Sequence, residues 1–284
     1  MIVPAHTFIA TALGVIHAGA TPVCAEVAAG TALIDPAAVE AAVGSRTAAI
    51  LPVHLYGQPC AMESLLAVAK RHCLEVFEDA AQAHGGGYHG MRAGSLARAG
   101  AFSFYPSKNL GGLGDGGAIC TNDAGLAAEA RSLRDLGRGP RTAHSGACYN
   151  ERLDALQAAF LRIKLPHLDG WNMARRAIAD GYRERLEGAV ELLEERRGAR
   201  CVYHLFPIRV GNRAALARQL ASRGIATGVH YPATLPDQPA LPMLRGPHAP
   251  MAQDWAAREL SLPIFPEMTV EELELVSAAV RGYL

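Results

Sequence analysis

The run from Ala101 to Gly111 (AFSFYPSKNLG) carries an apolar strand into a single lysine and then turns through glycines. A second apolar run, Phe77 to Gly85 (FEDAAQAHG), stops at the carboxylate of Asp79. A lysine and an aspartate at the ends of two buried strands suit imine chemistry on a pyridine ring. Lys108 would form the imine and Asp79 would pair with the ring nitrogen, so that the ring draws electrons from the reacting carbon. That combination is what pyridoxal phosphate requires. A free lysine, with a pKa of about 10.4, is a poor nucleophile until desolvation or a neighbouring positive charge lowers it. The chain has only three lysines, Lys70, Lys108 and Lys164, and only Lys108 closes an apolar strand.

Other residues near these strands carry weaker signals. Asp79 can equally cap the helix that follows it. Gln82 and His84 can each satisfy local backbone groups. Ser103, five residues before Lys108, reaches an anion at the strand end or is a plain core residue. His54 follows an apolar strand, and His230 and Tyr231 lie in VHYP; the histidines read first as structural and second as lining a polar substrate pocket. The glycines from Gly111 to Gly117 contain a literal G-x-G-x-x-G. It precedes a strand instead of opening a helix, so it is no dinucleotide signal. No H-E-x-x-H, cysteine–histidine cluster, P-loop or G-x-S-x-G motif occurs, and no metal site is expected.

The elements around these residues alternate. Helical spacing marks residues 7–18, 62–72 and 125–136, and Asp35-Pro36 opens another helix with proline at the first helical position. Apolar strands are predicted over 21–27, 47–55, 74–78, 101–105 and 117–121. Strands apolar throughout and separated by helices indicate an α/β fold with a mostly parallel sheet covered on both faces. Ligands in such sheets sit beyond the carboxyl ends of the strands, where Asp79 and Lys108 fall. After Asn150 the texture changes: helical stretches over 152–165 and 171–186 meet at Pro166, a predicted kink and boundary. Strands over 203–210 and 225–230, a helix over 213–223 and a capping box at Thr269 and Glu272 follow. The chain divides into a large domain, 1–170, and a small C-terminal α+β domain, 171–284.

The 284 residues balance 27 basic against 27 acidic side chains, and half are apolar. Zero net charge argues against nucleic acid or an anionic membrane as the main partner. Six scattered cysteines without a C-x-x-C pair read as reduced thiols. With no apolar run of membrane-spanning length and no signal-peptide pattern, a soluble, cytoplasmic protein is expected.

Several segments together resemble the sugar aminotransferases of the DegT/DnrJ/EryC1/StrS family, which are fold type I pyridoxal phosphate enzymes. They are Val3 to Ala12 (VPAHTFIATA), Pro52 to Gln58 (PVHLYGQ), Glu78 to Gly85, the Lys108 segment and Tyr149 to Ala159 (YNERLDALQAA). The resemblance implies Lys108 as the Schiff-base lysine, Asp79 as the pyridinium partner, Gln82 near the phenolic oxygen and Ser103 on the phosphate. It implies Phe8 stacked on the ring, and Asn150 reaching the phosphate of a neighbouring subunit's cofactor, hence a homodimer. The implied reaction moves an amino group from glutamate or glutamine to a nucleotide-linked keto-sugar or a related cyclitol.

Two departures qualify the resemblance. Relatives have elements before the Val3 strand, including a helix whose N-terminus serves the phosphate. The expectation is therefore an N-terminally shortened chain with weaker cofactor binding and less dimer surface. Pro236 stands near the place of a common histidine before Gln-Pro. The rival readings are a non-catalytic remnant that binds a cofactor or partner, and a sugar dehydratase. The family's dehydrating members carry histidine at the position of Lys108, which favours transamination.

Overall fold

The computed structural model describes residues 1–138, 143–144, 148–242, 244 and 249–283. Its strands are β1 (Ile2–Pro4), β2 (Val23–Ala25), β3 (Ala49–Ile50), β4 (Glu75–Asp79), β5 (Gly87–Tyr88) and β6 (Met91–Arg92). They continue with β7 (Ala99–Ser103), β8 (Gly117–Cys120), β9 (Glu191–Leu192), β10 (Ala199–Arg200), β11 (Phe206–Arg209) and β12 (Glu259–Leu262). Six of them form the main sheet in the order β2-β1-β3-β4-β7-β8, parallel from β2 to β7 and closed by antiparallel β8. The α/β architecture with a mostly parallel sheet is as the apolar strand runs predict.

Helices connect the parallel strands, and their sequences show why they form. In the helix Met62–Arg71 the buried residues Met62, Leu65, Val68 and Ala69 recur at helical spacing. Glu63 sits in its first turn and Lys70 and Arg71 in its last, matching the helix dipole. The helix Pro36–Ala42 starts with Asp35 accepting a bond from the Ala37 amide at 3.0 Å and with proline at its first position. The helix Val270–Arg281 opens with both bonds of the Thr269–Glu272 capping box.

Two cores hold the molecule. The first gathers residues of β1 to β4 with Leu235, Leu241 and Trp255; the second packs the helix Leu168–Leu186 against β11, β12 and the C-terminal helix. The junction expected at residue 170 lies inside that long helix, and Leu165–His167, with Pro166, forms a short 3-10 turn before it. Residues 235–255 return to the first core, so the chain crosses between the cores more than once.

Two strand expectations change, and one small sheet was not foreseen. Residues 47–55 give only the two ladder residues of β3 plus a bridge from Val53 to Asp79, because Leu55–Gly57 turns into a 3-10 helix. The sheet β10-β5-β6 was not legible at all, since its strands are two residues each. Residues 225–230 make only the bridge Gly228–Ser261, because beyond it the His230 amide donates to the Glu259 side chain instead of a ladder carbonyl. Among the described residues no helix is long and apolar enough to cross a membrane, and no cluster of metal-binding side chains occurs. Among the described residues no disulfide occurs; Cys24, Cys60 and Cys201 are buried, Cys73 and Cys120 exposed.

Candidate active site

The parallel strands end on one side at a cavity of about 500 Å³, lined by residues just beyond β1 (Thr7, Phe8), β3 (Val53), β4 (Asp79) and β7 (Ser103, Lys108). That volume suits a small-molecule ligand. It is built from chain segments far apart in sequence, because parallel strands deliver their carboxyl ends to a common edge.

Asp79 is fixed on every side. Its amide donates to the Pro52 carbonyl at 2.9 Å and its carbonyl accepts from His54 N at 3.0 Å. One carboxylate oxygen accepts from the Ala81 amide at 3.1 Å, and the other from the Thr11 hydroxyl at 2.8 Å. Thr11 in turn touches Thr7 at 3.2 Å, one helical turn earlier. The carboxylate therefore faces the cavity with its direction set by three neighbouring groups.

Lys108 reaches the same cavity from a closed loop. Its amide donates to Tyr105 O at 2.9 Å, and the amide of Phe104 donates to Gly116 O at 2.7 Å. Gly111 is required there, since a Cβ would lie 2.2 Å from the Pro106 carbonyl oxygen. Lys164, a second of the three lysines, donates to the Gly111 carbonyl and ties the loop to the helix Ala155–Lys164. Burial lowers the pKa of the Lys108 amine below its ordinary value, and the Asp79 charge opposes that shift. Lysine and aspartate are thus close enough to interact, across one cavity.

Around them lies a hydrogen-bonded wall. Gln82 accepts from Tyr56 N at 2.6 Å and donates to the Tyr231 hydroxyl at 3.0 Å, which fixes its amide orientation. Tyr56 adopts φ 61°, a left-handed conformation rare for a bulky residue, and that turn aims its N–H at Gln82. Its hydroxyl donates to the His230 carbonyl at 2.7 Å and meets His6 Nε2 at 3.1 Å. The rings of Phe8 and Tyr231 lie 5.3 Å apart, and Phe8 remains about half exposed. Ser103 Oγ accepts from Tyr105 N at 3.2 Å.

The structure brings Lys108, Asp79, Gln82, Ser103, Phe8, His230 and Tyr231 to one cavity. His54 lies outside the cavity lining, in line with its first reading as structural and not with its second as pocket-lining. It is fully buried, its Nδ1 accepting from Cys60 N at 3.2 Å and its Nε2 meeting Glu78 at 2.9 Å, so both nitrogens are used in the interior. Asn150 is exposed, in a bridge with Asp135, and does not line the cavity of its own chain. Sequence reasoning missed Thr7, Thr11, Tyr56 and His204. The i, i+4 threonine pair was a usable signal; the left-handed turn at Tyr56 was not.

His204 and His84 stand behind Lys108. His204 lines the cavity, contacts Asn109 Oδ1 at 3.2 Å, and is held well below its ordinary pKa by burial and then by Lys108. His84 is packed against Phe102 and Phe104, with neither ring nitrogen in hydrogen-bond geometry. Burial, then the Lys108 charge, push it down to about 4, with the Ser103 backbone opposing. As pH falls below 6.5 the unfolded chain protonates this ring before the folded one does. The resulting stability loss grows down to the folded value and reaches about 3 kcal/mol for His84 alone. His84→Phe removes that titration, so in urea unfolding its stability relative to the parent should rise by about this amount between pH 6.5 and 4. A difference independent of pH would contradict the burial of a neutral ring there.

A mostly parallel α/β sheet whose strand ends present a desolvated lysine and an aspartate to one cavity defines the class: a transferase built for imine chemistry. Residues 1–281 match the model of the DegT/DnrJ/EryC1/StrS aminotransferase family, and the chain belongs to that family, whose members depend on pyridoxal phosphate. It is 45% identical over 287 residues to the dTDP-3-amino-3,4,6-trideoxy-alpha-D-glucose transaminase of Streptomyces venezuelae, covering 100% of this chain and 76% of that protein. It is 42% identical to a UDP-N-acetyl-3-dehydro-alpha-D-glucosamine 3-aminotransferase of Acidithiobacillus ferrooxidans, covering 100% of this chain and 77% of that one. The crystal structure of S. venezuelae DesV in complex with a ketimine intermediate superposes with a TM-score of 0.96 at 43% identity, over 99% of this chain and 77% of DesV.

Proposed function

We propose that this chain is a pyridoxal phosphate-dependent aminotransferase that carries an amino group from glutamate or glutamine to a nucleotide-linked keto-sugar. One observation carries the reading: Lys108 and Asp79 converge on a single cavity of fitting volume. Its donor set matches the cofactor group by group. Lys108 supplies a desolvated amine to hold it covalently, Asp79 an aimed carboxylate for its ring nitrogen, and Ser103 a hydroxyl for its phosphate. Gln82 offers an amide beside the ring and Phe8 a half-exposed aromatic face. When bound, pyridoxal phosphate supplies an electron sink for the charge left when a proton leaves the substrate carbon.

The residues of the chain do the rest. Asp79, aimed by Thr11 and Ala81, would hold the cofactor's ring nitrogen with its carboxylate. Lys108, lowered by burial, takes a proton from the donor's α-carbon and, in the second half-reaction, delivers one to the sugar carbon, as a positioned general base and acid. His230 and Tyr231 form the opposite wall, where the sugar would lie. A homodimer fits this reading: Asn150 is exposed, away from its own cavity, and Tyr149, Leu156 and Ile163 on the same stretch are all more than half exposed. Sedimentation should then give twice the 30.0 kDa chain mass.

The deciding assay supplies glutamate or glutamine with dTDP- or UDP-linked 3-keto-sugars and follows the amino sugar and the oxo-acid formed from the donor. Formation of both, in equal amounts and only with cofactor, supports the reading. Loss of water from the sugar with no consumption of the donor would instead favour the dehydratase.

A further inference from the structure

Glu259 is a fully buried carboxylate at the start of β12, behind the wall of the cavity that His230 and Tyr231 form. One of its oxygens accepts from His230 N at 2.6 Å and the other from the Ser261 hydroxyl at 2.5 Å. Ser261 Oγ lies 2.9 Å from His230 Nδ1, and the Gly228–Ser261 backbone bonds of 2.8 and 3.1 Å clamp the two segments together. Three side chains therefore run in series: carboxylate, hydroxyl, imidazole.

The hydrogens in this series are determined by bookkeeping of donors. Above pH 7, where the buried Glu259 carboxyl is ionised, it only accepts, so the single hydrogen of Ser261 is committed to Glu259. Ser261 Oγ then has only lone pairs left for His230, and the hydrogen between them must belong to Nδ1. A neutral imidazole carries one hydrogen, so Nε2 is bare. His230 is the neutral form because burial, then the Lys108 charge, lower its pKa. Its Nε2 has no protein hydrogen-bond partner among the described residues, and His230 lines the Lys108 cavity as well as the neighbouring one beside Gly228 and Leu262.

We propose that Glu259, acting through Ser261, is a positioning residue that locks His230 in the Nδ1–H tautomer, so that this wall of the cavity offers a hydrogen-bond acceptor. The wall then selects a hydroxyl or ammonium group of the substrate and disfavours a phosphate or carboxylate, whose oxygens would meet a lone pair. This deepens the proposed function and rests on its reading of the cavity as the substrate site. The phosphates of a nucleotide-linked sugar must accordingly lie away from His230, with a sugar hydroxyl against it.

The charged and titratable groups around Glu259 are Arg213, whose side chain donates to the Glu259 carbonyl at 3.3 Å, with Tyr56, Tyr231 and His230. Burial raises the Glu259 carboxyl to about 7, so the test is run above that pH, on the full chain. Histidine-selective 15N labelling and two-bond nitrogen–proton correlation spectra report the tautomer of each ring, and loss of one pattern in His230→Gln assigns it. The expected result is Nδ1–H in the parent protein. In Glu259→Gln the lone side-chain oxygen is taken by the His230 amide, the NH₂ faces Ser261, and the serine hydrogen turns to Nδ1; His230 should switch fully to Nε2–H. Ser261→Ala removes the acceptor for Nδ1–H and should abolish the preference as well.

An Nε2–H ring in the parent, or an unchanged Nδ1–H ring in either folded variant, overturns the proposal. Should Glu259→Gln fail to fold, Ser261→Ala alone decides. A parent protein that aminates no keto-sugar would sink the functional reading and leave this spectrum as stated, so the two failures are distinguishable.

Discussion

Lys108→Ala should lower turnover by about 10⁴-fold or more, the upper range for a positioned acid–base group, since this residue is also the proposed covalent anchor. The loss should fall on kcat, because Asp79, Gln82 and Ser103, which would hold the cofactor without a covalent bond, are untouched. Their bonds to Thr11, Ala81, Tyr56 and Tyr231 do not pass through Lys108. Borohydride reduction in the presence of pyridoxal phosphate should leave a stable adduct on the peptide containing Lys108 and none in the variant. Lys70 and Lys164 are the internal controls: Lys70 lies on an exposed helix surface, and Lys164 is engaged with Gly111. A variant that turns over within tenfold of the parent, or an adduct on either control lysine, would remove Lys108 from the chemistry.

Glu78→Ala should cost about 4 kcal/mol of stability, as expected for breaking a buried charge-assisted network. The Glu78 carboxylate accepts from Gly94 N and Leu96 N at 2.7 Å each, from Ala97 N at 2.9 Å, and from His54 Nε2 at 2.9 Å. Truncation orphans three amides and one imidazole in the interior, whose desolvation is not recovered. Glu78→Gln should be nearly as damaging, because its NH₂ would face groups that only donate. Since Glu78 precedes Asp79 on β4, cofactor affinity should weaken along with stability. Urea unfolding that shows a loss below about 1 kcal/mol for the alanine variant would mean that these bonds do not anchor the 94–97 loop.

The pair Asp79 and Lys108 and the mostly parallel character of the sheet were legible for one reason. Apolar runs ending on Asp79 and before Lys108 mark buried strands with polar ends, and buried parallel strands have few other arrangements. Helix starts at Asp35 and Thr269 were legible because capping is local: the donors lie two or three residues away. For His54 the sequence left two readings open, structural first and pocket-lining second. Its position after a strand looks like that of Asp79, yet it turns inward to Glu78, and only the packing of the 94–97 loop decides that. The 225–230 segment failed as a strand because Glu259, 29 residues on, takes the His230 amide.

The sequence by itself determined the placing of Asp79 and Lys108 at strand ends, the class of sheet and the ends of several helices, because each depends on residue type within a few positions. The tertiary structure decided which way each side chain faces. It aimed the Asp79 carboxylate with Thr11, drew the Tyr56 amide to Gln82, turned His54 to the interior and linked Glu259 to His230 through Ser261. In the same wall the Gln82–Tyr231 contact joins residues 149 positions apart, and the Tyr56–His230 bond residues 174 apart. Hydrogen-bond directions are fixed by which donor meets which acceptor, and apart from the Ser261–Glu259 bond no short window of sequence contains both partners.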